Sequence, residues 1–502
     1  MATLRSISLF AISLATALLP AQEPSPYEIT DVLTASTVSN SRSKEWKPSE
    51  GIVMEVSGMD FLPDGRLAVS LRKGELWLVD GLDSADASKV TFSQFASGLH
   101  EPLGVHADGK DLLVGQRSEI TRLRDLDGDG RADEYLSEAS GWNVSGSYHG
   151  YAYGPEPDGL GSLWVALNLD MGEIDQNDKP WRGWALRFEP GVGKLIPVAA
   201  GLRSPCGLGA NRAGDMFVSD QEGTWIPTTP IHHLRRGAFF GNPEGVASQD
   251  LPGSPLKLSA AVPSKVPYPE ALELLPELVP PACWLPYNKM GRSATDIQLI
   301  DCDGKFGPFD GQLLVGEFTN AGIHRVALEK IGGEYQGACF PFRYGFASAV
   351  LRLAFDKDGA LYVGCSNRGW ASLGARAYGL QRVRWNGVTP FEIREMKARP
   401  DGFDLHFTLP VDPATASDPA SYSMESYTYL YSSAYGGEPI QHERLAIRKA
   451  TPSADGKSVR LEIDGLREVH VHELRAEGLR SATGKSLVHP DAYYTLNRIP
   501  SE

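Results

Sequence analysis

Along most of the chain a short run of alternating apolar and polar residues is followed by a turn of the Asp-Gly type and a second apolar run. Alternation with period two puts successive side chains on opposite faces, the pattern of a strand, and Asp-Gly between two such runs is a hairpin turn. The unit is plainest from Met59 to Val69 about Asp64-Gly65, from Val105 to Val114 about Asp108-Gly109, and from Leu353 to Val363 about Asp358-Gly359. Three further copies centre on Pro157-Asp158-Gly159, Ala213-Gly214-Asp215 and Asp310-Gly311-Gln312. The turn glycines are spaced by 44, 50, 55, 97 and 48 residues. A period of about 40–50 residues made of strands marks propeller blades. The expectation is an all-β chain with a six-bladed β-propeller over residues 22–387.

The step of 97 residues covers a stretch, 242–286, that holds Pro252, Pro255, Pro263, Pro267, Pro269, Pro276, Pro280 and Pro281. Proline cannot donate to a sheet ladder, so this stretch is expected to be an insertion over one face rather than a seventh blade. After Trp385 the period stops. Runs such as Phe403 to Leu409 and Ser458 to Ile463, with turns at Asp401-Gly402, Asp455-Gly456 and Thr483-Gly484, predict a small C-terminal β-sandwich over 388–502, resembling fibronectin-type or Ig-like modules. Its tyrosines Tyr422, Tyr427, Tyr429, Tyr431 and Tyr435 read either as a ligand platform or as the sandwich core and rim. At the other end Arg5, an apolar run from Ile7 to Leu19 and Pro20-Ala21 compose a signal peptide over 1–21, so the mature chain is expected to be periplasmic or secreted, without a membrane span.

Composition adds two exclusions. Asp+Glu number 63 against 48 Lys+Arg, a formal net charge of -15, which argues against nucleic acid and anionic membrane surfaces as partners. The five cysteines, Cys206, Cys283, Cys302, Cys339 and Cys365, match no zinc spacing; an exported chain permits one or two disulfides among them, with one thiol left over.

With the Asp-Gly turns at one end of each blade, residues before each first strand and after each second strand meet at the opposite mouth of the central channel. The leading set is Glu101, His149, Arg203 and Arg292. The trailing set is Arg72, Gln116, Arg117, Asn168, Asp170, Gln221, Glu222, Glu317, Asn320, Asn367 and Arg368. An arginine-rich mouth on an acidic protein suits an anionic ligand such as a polycarboxylate, held by bidentate forks. His149 is its one histidine, and an imidazole with an ordinary pKa near 6.5 can take a hydroxyl proton at neutral pH. Separately, Asp125, Asp127, Asp129 and Asp133 about Gly130 reproduce the start of an EF-hand loop, with Leu136 where the closing glutamate belongs, and predict a calcium-stabilised hairpin outside the chemistry.

These residues resemble a family. The segment from Ser147 through His149-Gly150 and Asp158-Gly159 to Leu163-Trp164-Val165 is similar to the strand pair of the pyrroloquinoline quinone (PQQ) dependent glucose/sorbosone dehydrogenases. Leu71-Arg72-Lys73-Gly74-Glu75-Leu76, Gly201-Leu202-Arg203-Ser204-Pro205-Cys206-Gly207-Leu208, Ser219-Asp220-Gln221-Glu222-Gly223 and Phe309 to Gly316 follow in the family's order, over about residues 50–386. The ending Arg368-Gly369-Trp370 is similar to that of dehydrogenase-like propeller modules in exported planctomycete proteins. The resemblance implies a sugar dehydrogenase in which His149 is the general base and Arg203 holds the quinone oxygen. Arg72, Gln116, Arg117, Glu222, Asn367 and Arg368 would line the cofactor, and a haem protein would be a possible electron acceptor. The chain departs from the family at Ser204 and Cys206, where asparagine and glutamine are usual, and in Thr224 to His233, where an acidic calcium loop is usual. Two readings besides a sugar or sugar-aldehyde dehydrogenase stay open: a non-catalytic carbohydrate- or protein-binding propeller, and a calcium-dependent lactonase-like hydrolase using Glu222, Asn168 and Asp170.

Overall fold

The computed structural model describes residues 25–33, 53–82, 89–144, 146–170 and 179–501. The signal peptide expected over 1–21 lies outside them. The architecture is almost entirely antiparallel β. Each of the six turns read from the sequence joins the first two of four neighbouring antiparallel strands, five times in a four-stranded sheet and once, at Asp310-Gly311, in a larger one. The first strands, Val56–Phe61, Val105–Asp108, Ala152–Pro157, Gly207–Ala210, Ala294–Leu299 and Val350–Phe355, touch one another in cyclic order, the last meeting the first. These strands are short, and glycines in and beside them, among them Gly58, Gly154, Gly207 and Gly209, let six backbones converge. Gly104 and Gly115 show the constraint, since a Cβ on either would stand about 2 Å from the Gly154 carbonyl oxygen (2.2 and 1.9 Å).

Two sheets are completed by distant chain. The outer strand of the sixth sheet is Tyr27–Leu33, paired with Tyr378–Trp385, so the start of the described chain is stitched to the end of the repeat. The outer strand of the fourth is Cys283–Leu285, paired with Thr229–His233 across the proline-dense stretch. Besides that strand, the stretch holds the helix Tyr268–Leu274 and the two-residue strand Val266–Pro267, which pairs with Leu430–Tyr431. Proline 267 and the helix-opening residues thus sit where no ladder donor is needed.

Beyond the repeat, Ile393–Arg399, Gly402–Phe407, Ser458–Ile463 and Ile447–Pro452 form one sheet. Ser423–Thr428, Ile440–Leu445, His470–Arg475 and Asp491–Leu496 form another, and Asp491–Leu496 also pairs with Glu334–Tyr344, the outer strand of the fifth sheet. The register Gly337 to Thr495, Ala338 to Tyr494 and Cys339 to Tyr493 makes one continuous eight-stranded sheet. Phe403, Leu405, Val459, Leu461, Leu474 and Tyr494 fill the core between the two sheets. Tyr427, Tyr429 and Tyr431 are fully buried and pack with Tyr268, Trp284 and Cys283 of the fourth sheet region. At about 1.5–3 kcal/mol for each buried large side chain, this seam is a substantial attachment. Of the five tyrosines, Tyr422 belongs to the core and Tyr435 alone is exposed. All five cysteines are buried and stand as free thiols in the structure.

Candidate active site

A cavity of about 570 Å³ opens at the end of the ring opposite the Asp-Gly turns. Its lining brings together Arg72, His149, Asn168, Arg203, Gln221, Glu222, Arg292 and Arg368 from five sheets. Its floor is shared with a smaller cavity of about 200 Å³ further along the channel, the two meeting at Leu103, Tyr153 and Cys206. Arg352 fixes that floor, lying over the Tyr153 ring and donating to the carbonyls of Leu103, Ser57 and Cys206. The signal for it was an arginine inside the apolar inner strand Val350–Phe355, a position where charge is costly without partners.

His149 is held at both ring nitrogens. Nδ1 is 3.0 Å from the Leu169 carbonyl oxygen, which can only accept, so Nδ1 carries the hydrogen. Nε2 is then the acceptor, 3.1 Å from Ser204 Oγ. Burial holds the imidazole below its ordinary pKa, and the nearby Arg203 charge pushes the same way. The ring is neutral at pH 7 and has one defined basic atom.

Arg203 is placed by its neighbours in sequence and by the following sheet turn. The Asp220 carboxylate accepts the backbone N–H groups of Arg203 and Ser204 at 2.7 Å each, and burial lifts it to about 6. The guanidinium donates to Ser204 Oγ at 2.9 Å, to Thr224 Oγ1 at 3.3 Å and to the Glu222 carbonyl at 3.4 Å. A Cβ at Gly223 would sit 2.1 Å from Arg203 Nε, so glycine there makes room for the guanidinium. Glu222 itself is raised to about 7, burial outweighing Arg292 and Arg203. Asn168 is buried, and its Oδ1 has no hydrogen-bond partner among the described residues.

The other predicted residues divide. Arg72 lines the cavity, stacked on Tyr151 at 4.7 Å, bonded to its hydroxyl and paired with Glu101 at 3.4 Å. Arg368 lines it while paired with Glu55 at 2.9 Å. Gln116, Arg117 and Asn367 are not among the lining residues. Gln116 accepts His100 N–H at 2.5 Å and donates to Thr121. Arg117 is buried behind the wall, donating to Glu101 at 2.6 Å and to the Ser147 and Tyr148 carbonyls, and so props the loop that carries His149. Asn367 holds Ser348 and Ser372. Asp170 pairs with Lys179 at 3.3 Å, and Glu317 accepts the N–H groups of Arg292, Ser293 and Asn320. Sequence reasoning missed Tyr151 and the buried Asp220, and it noted Ser204 only as a departure from the family and Tyr435 only within the tyrosine patch.

Outside the cavity, Asp125, Asp127 and Asp133 bring carboxylate oxygens within 4.8 Å of one another, and Asp129 stands outside that group. The loop joins Glu119–Arg124 to Glu134–Ser140.

Residues 77–259 match the model of a domain of unknown function (DUF7133). No curated protein matches the chain in sequence. The fold is similar to those of aldose sugar dehydrogenases. The PQQ-bound aldose sugar dehydrogenase of Streptomyces coelicolor is 16% identical, with 72% of this chain and 99% of that one covered and a TM-score of 0.45. The soluble aldose sugar dehydrogenase of Escherichia coli is 15% identical, with 72% and 100% covered and a TM-score of 0.46. A carbohydrate-active enzyme of family AA12 from Trichoderma reesei is 13% identical, with 72% and 97% covered and a TM-score of 0.48. Among the described residues no helix is long and apolar enough to cross a membrane.

Proposed function

We propose that the chain is an exported sugar dehydrogenase-like oxidoreductase: a six-bladed propeller over residues 22–387, followed by a β-sandwich over 388–502, that oxidises a sugar or sugar-derived aldehyde at the mouth of the ring. The observation that carries the reading is a neutral, doubly anchored His149 in a cavity whose lining holds Arg72, Arg203, Arg292 and Arg368 against Glu222 as the one carboxylate among the described lining residues. His149 Nε2 takes the proton of a substrate hydroxyl, with Ser204 Oγ yielding its place. Arg203 stabilises the negative charge that develops as the C–H bond breaks, a role that needs a donor fixed beforehand. Asn168, in the cavity lining, offers its side-chain amide to a second hydroxyl.

The donor set fits the carboxylates of PQQ, which Arg72, Arg292 and Arg368 would hold. When bound, PQQ supplies the two-electron acceptor. The set does not fit a calcium ion beside it: Thr224 to His233 carry no carboxylate, and Glu222, half-protonated near neutrality, lies between two arginine charges. Calcium is assigned instead to Asp125, Asp127 and Asp133, as a stabilising ion remote from the cavity. A haem protein would serve as the electron acceptor. An absorbance titration of the purified chain with PQQ, with and without calcium, followed by dye reduction with an aldose panel, tests the reading. Saturable PQQ binding without calcium and sugar-dependent reduction are expected; no PQQ binding under either condition refutes it and leaves a binding propeller.

A further inference from the structure

Four aromatic side chains are exposed among the described residues, Tyr135, Tyr148, Trp370 and Tyr435, and three of them line the cavity that holds His149. Tyr435 is the unusual member, because it comes from the C-terminal sheets and not from the ring. It stands in the turn after Leu430–Tyr431, and that turn is tied to the loop following Glu222 by backbone bonds: Trp225 N–H to Ala434 O at 3.3 Å, Gly436 N–H to Gly223 O at 3.0 Å and Gly437 N–H to Pro227 O at 2.8 Å. Gly436 takes φ +64°, and a Cβ there would stand 2.5 Å from Glu222 Oε1, so only glycine lets the turn come this close. The mount is therefore rigid while the ring it carries is 66% exposed.

One face of the Tyr435 ring receives the Arg203 guanidinium at 5.0 Å. Across the mouth Trp370 is fixed too, against Phe318 at 4.5 Å and by its Nε1–H to Thr319 at 3.3 Å. The same lining carries the polar groups Asn168, Gln221 and the arginines as donors and acceptors. Flat apolar walls with polar groups in the same lining suit a ligand with an apolar C–H face and a hydroxylated rim, and not a short open-chain molecule.

We infer that Tyr435 is a specificity-determining residue, a ring-stacking wall that the C-terminal region lends to the cavity so that it selects pyranose rings. The inference rests on the reading of the cavity as a sugar site. It requires the turn to be docked in solution, the ring to touch the sugar, and the effect to fall on binding rather than on turnover.

The test uses the full mature chain and the variants Tyr435→Ala and Tyr435→Phe. Saturation-transfer NMR with D-glucose and D-glucuronate reads ring contact without any cofactor; dye reduction with D-glucose against D-glyceraldehyde reads KM and kcat. Tyr435→Ala is expected to weaken saturation of the sugar ring protons and to raise KM for glucose roughly tenfold, the weight of one good aromatic contact, a larger factor than its effect on kcat or on the glyceraldehyde KM. Tyr435→Phe keeps the wild-type values. Hydrogen exchange showing protected Gly436 and Gly437 amides in all three proteins establishes that the turn stays docked. Sugar-proton saturation that is absent in wild type, or undiminished in Tyr435→Ala, overturns the inference. Sugar contact that depends on Tyr435 in a protein that reduces no dye supports it while refuting the dehydrogenase reading alone.

Discussion

His149 and Arg203 are joined through one hydroxyl: Ser204 Oγ lies 3.1 Å from His149 Nε2 and 2.9 Å from Arg203 Nη1. The guanidinium can only donate to that oxygen, which turns its hydrogen toward the imidazole. The cation therefore sets the direction of the bond that marks the histidine's basic atom, and the two candidate residues are aimed together.

From this follows the behaviour of the histidine. His149→Ala should lower turnover by about 10²–10⁴, with PQQ and sugar affinity close to wild type, because proton transfer belongs to the transition state. Ser204→Ala, which keeps the base but loosens its aim, should cost less. Stopped-flow dye reduction with separate binding titrations distinguishes the two, and turnover unchanged in His149→Ala removes the histidine from the mechanism.

The rate should be insensitive to pH across the ordinary histidine range. Burial lowers the His149 pKa, so the base stays deprotonated as pH falls through about 6.5 and turnover declines only below it. For stability, the unfolded chain then takes up a proton that the folded chain resists. The His149 contribution is present above about pH 6.5 and is lost on acidification below it. A His149→Gln variant with the same acid limb in a pH series of unfolding curves would contradict this.

Glu222 gives the opposite trend. Its folded pKa, about 7, is above the ordinary carboxyl value, so the unfolded chain loses the proton first and stability falls from about pH 4.5 to 7, then levels off. Ionisation places a negative charge among the arginines, so PQQ affinity should fall as pH rises through 7. Glu222→Gln should bind the anion as tightly at pH 8 as at pH 6; isothermal titration at both values decides.

Gly223→Ala puts a methyl group 2.1 Å from Arg203 Nε and should swing the guanidinium off Ser204. Its expected phenotype is that of Arg203→Ala, loss in both ligand affinity and turnover. A Gly223→Ala protein with wild-type kinetics would mean the guanidinium has room to spare.

Calcium should raise the melting temperature through Asp125, Asp127 and Asp133, by about 2.7 kcal/mol of stability at a hundredfold excess over the dissociation constant. Asp127→Ala should abolish the shift and Asp129→Ala should preserve it, as read by differential scanning calorimetry. Dye reduction should be the same with and without the ion.

Five of the six hairpin turns were legible because Asp-Gly encodes its own backbone conformation within two residues, and the sixth, at Gly214-Asp215, was legible from the spacing. What the sequence concealed is pairing across distance. Cys283–Leu285 is too short and too hedged by proline to be read as a strand, and Tyr27–Leu33 finds its partner some 350 residues on, at Tyr378–Trp385. The same holds at the site. Arg72, His149, Arg203, Glu222 and Arg368 stand at the ends of predicted strands, and the cavity gathers them. Gln116, Arg117 and Asn367 occupy the same topological positions, but strand ends fix where a residue is and not which way its side chain turns. Tyr435 could not be found this way, since nothing local distinguishes its ring from the buried Tyr429 and Tyr431.

The pairing of Gly337, Ala338 and Cys339 with Thr495, Tyr494 and Tyr493 has a consequence for the chain as a polymer. Glu334–Tyr344 ends a sheet, and an unguarded sheet end is a template onto which further copies can add. The C-terminal strands occupy that template from within the same molecule. A protein cut short before Pro390 would lose its built-in terminator, and its predicted fate is growth, copy upon copy, into aggregates rather than a smaller version of itself.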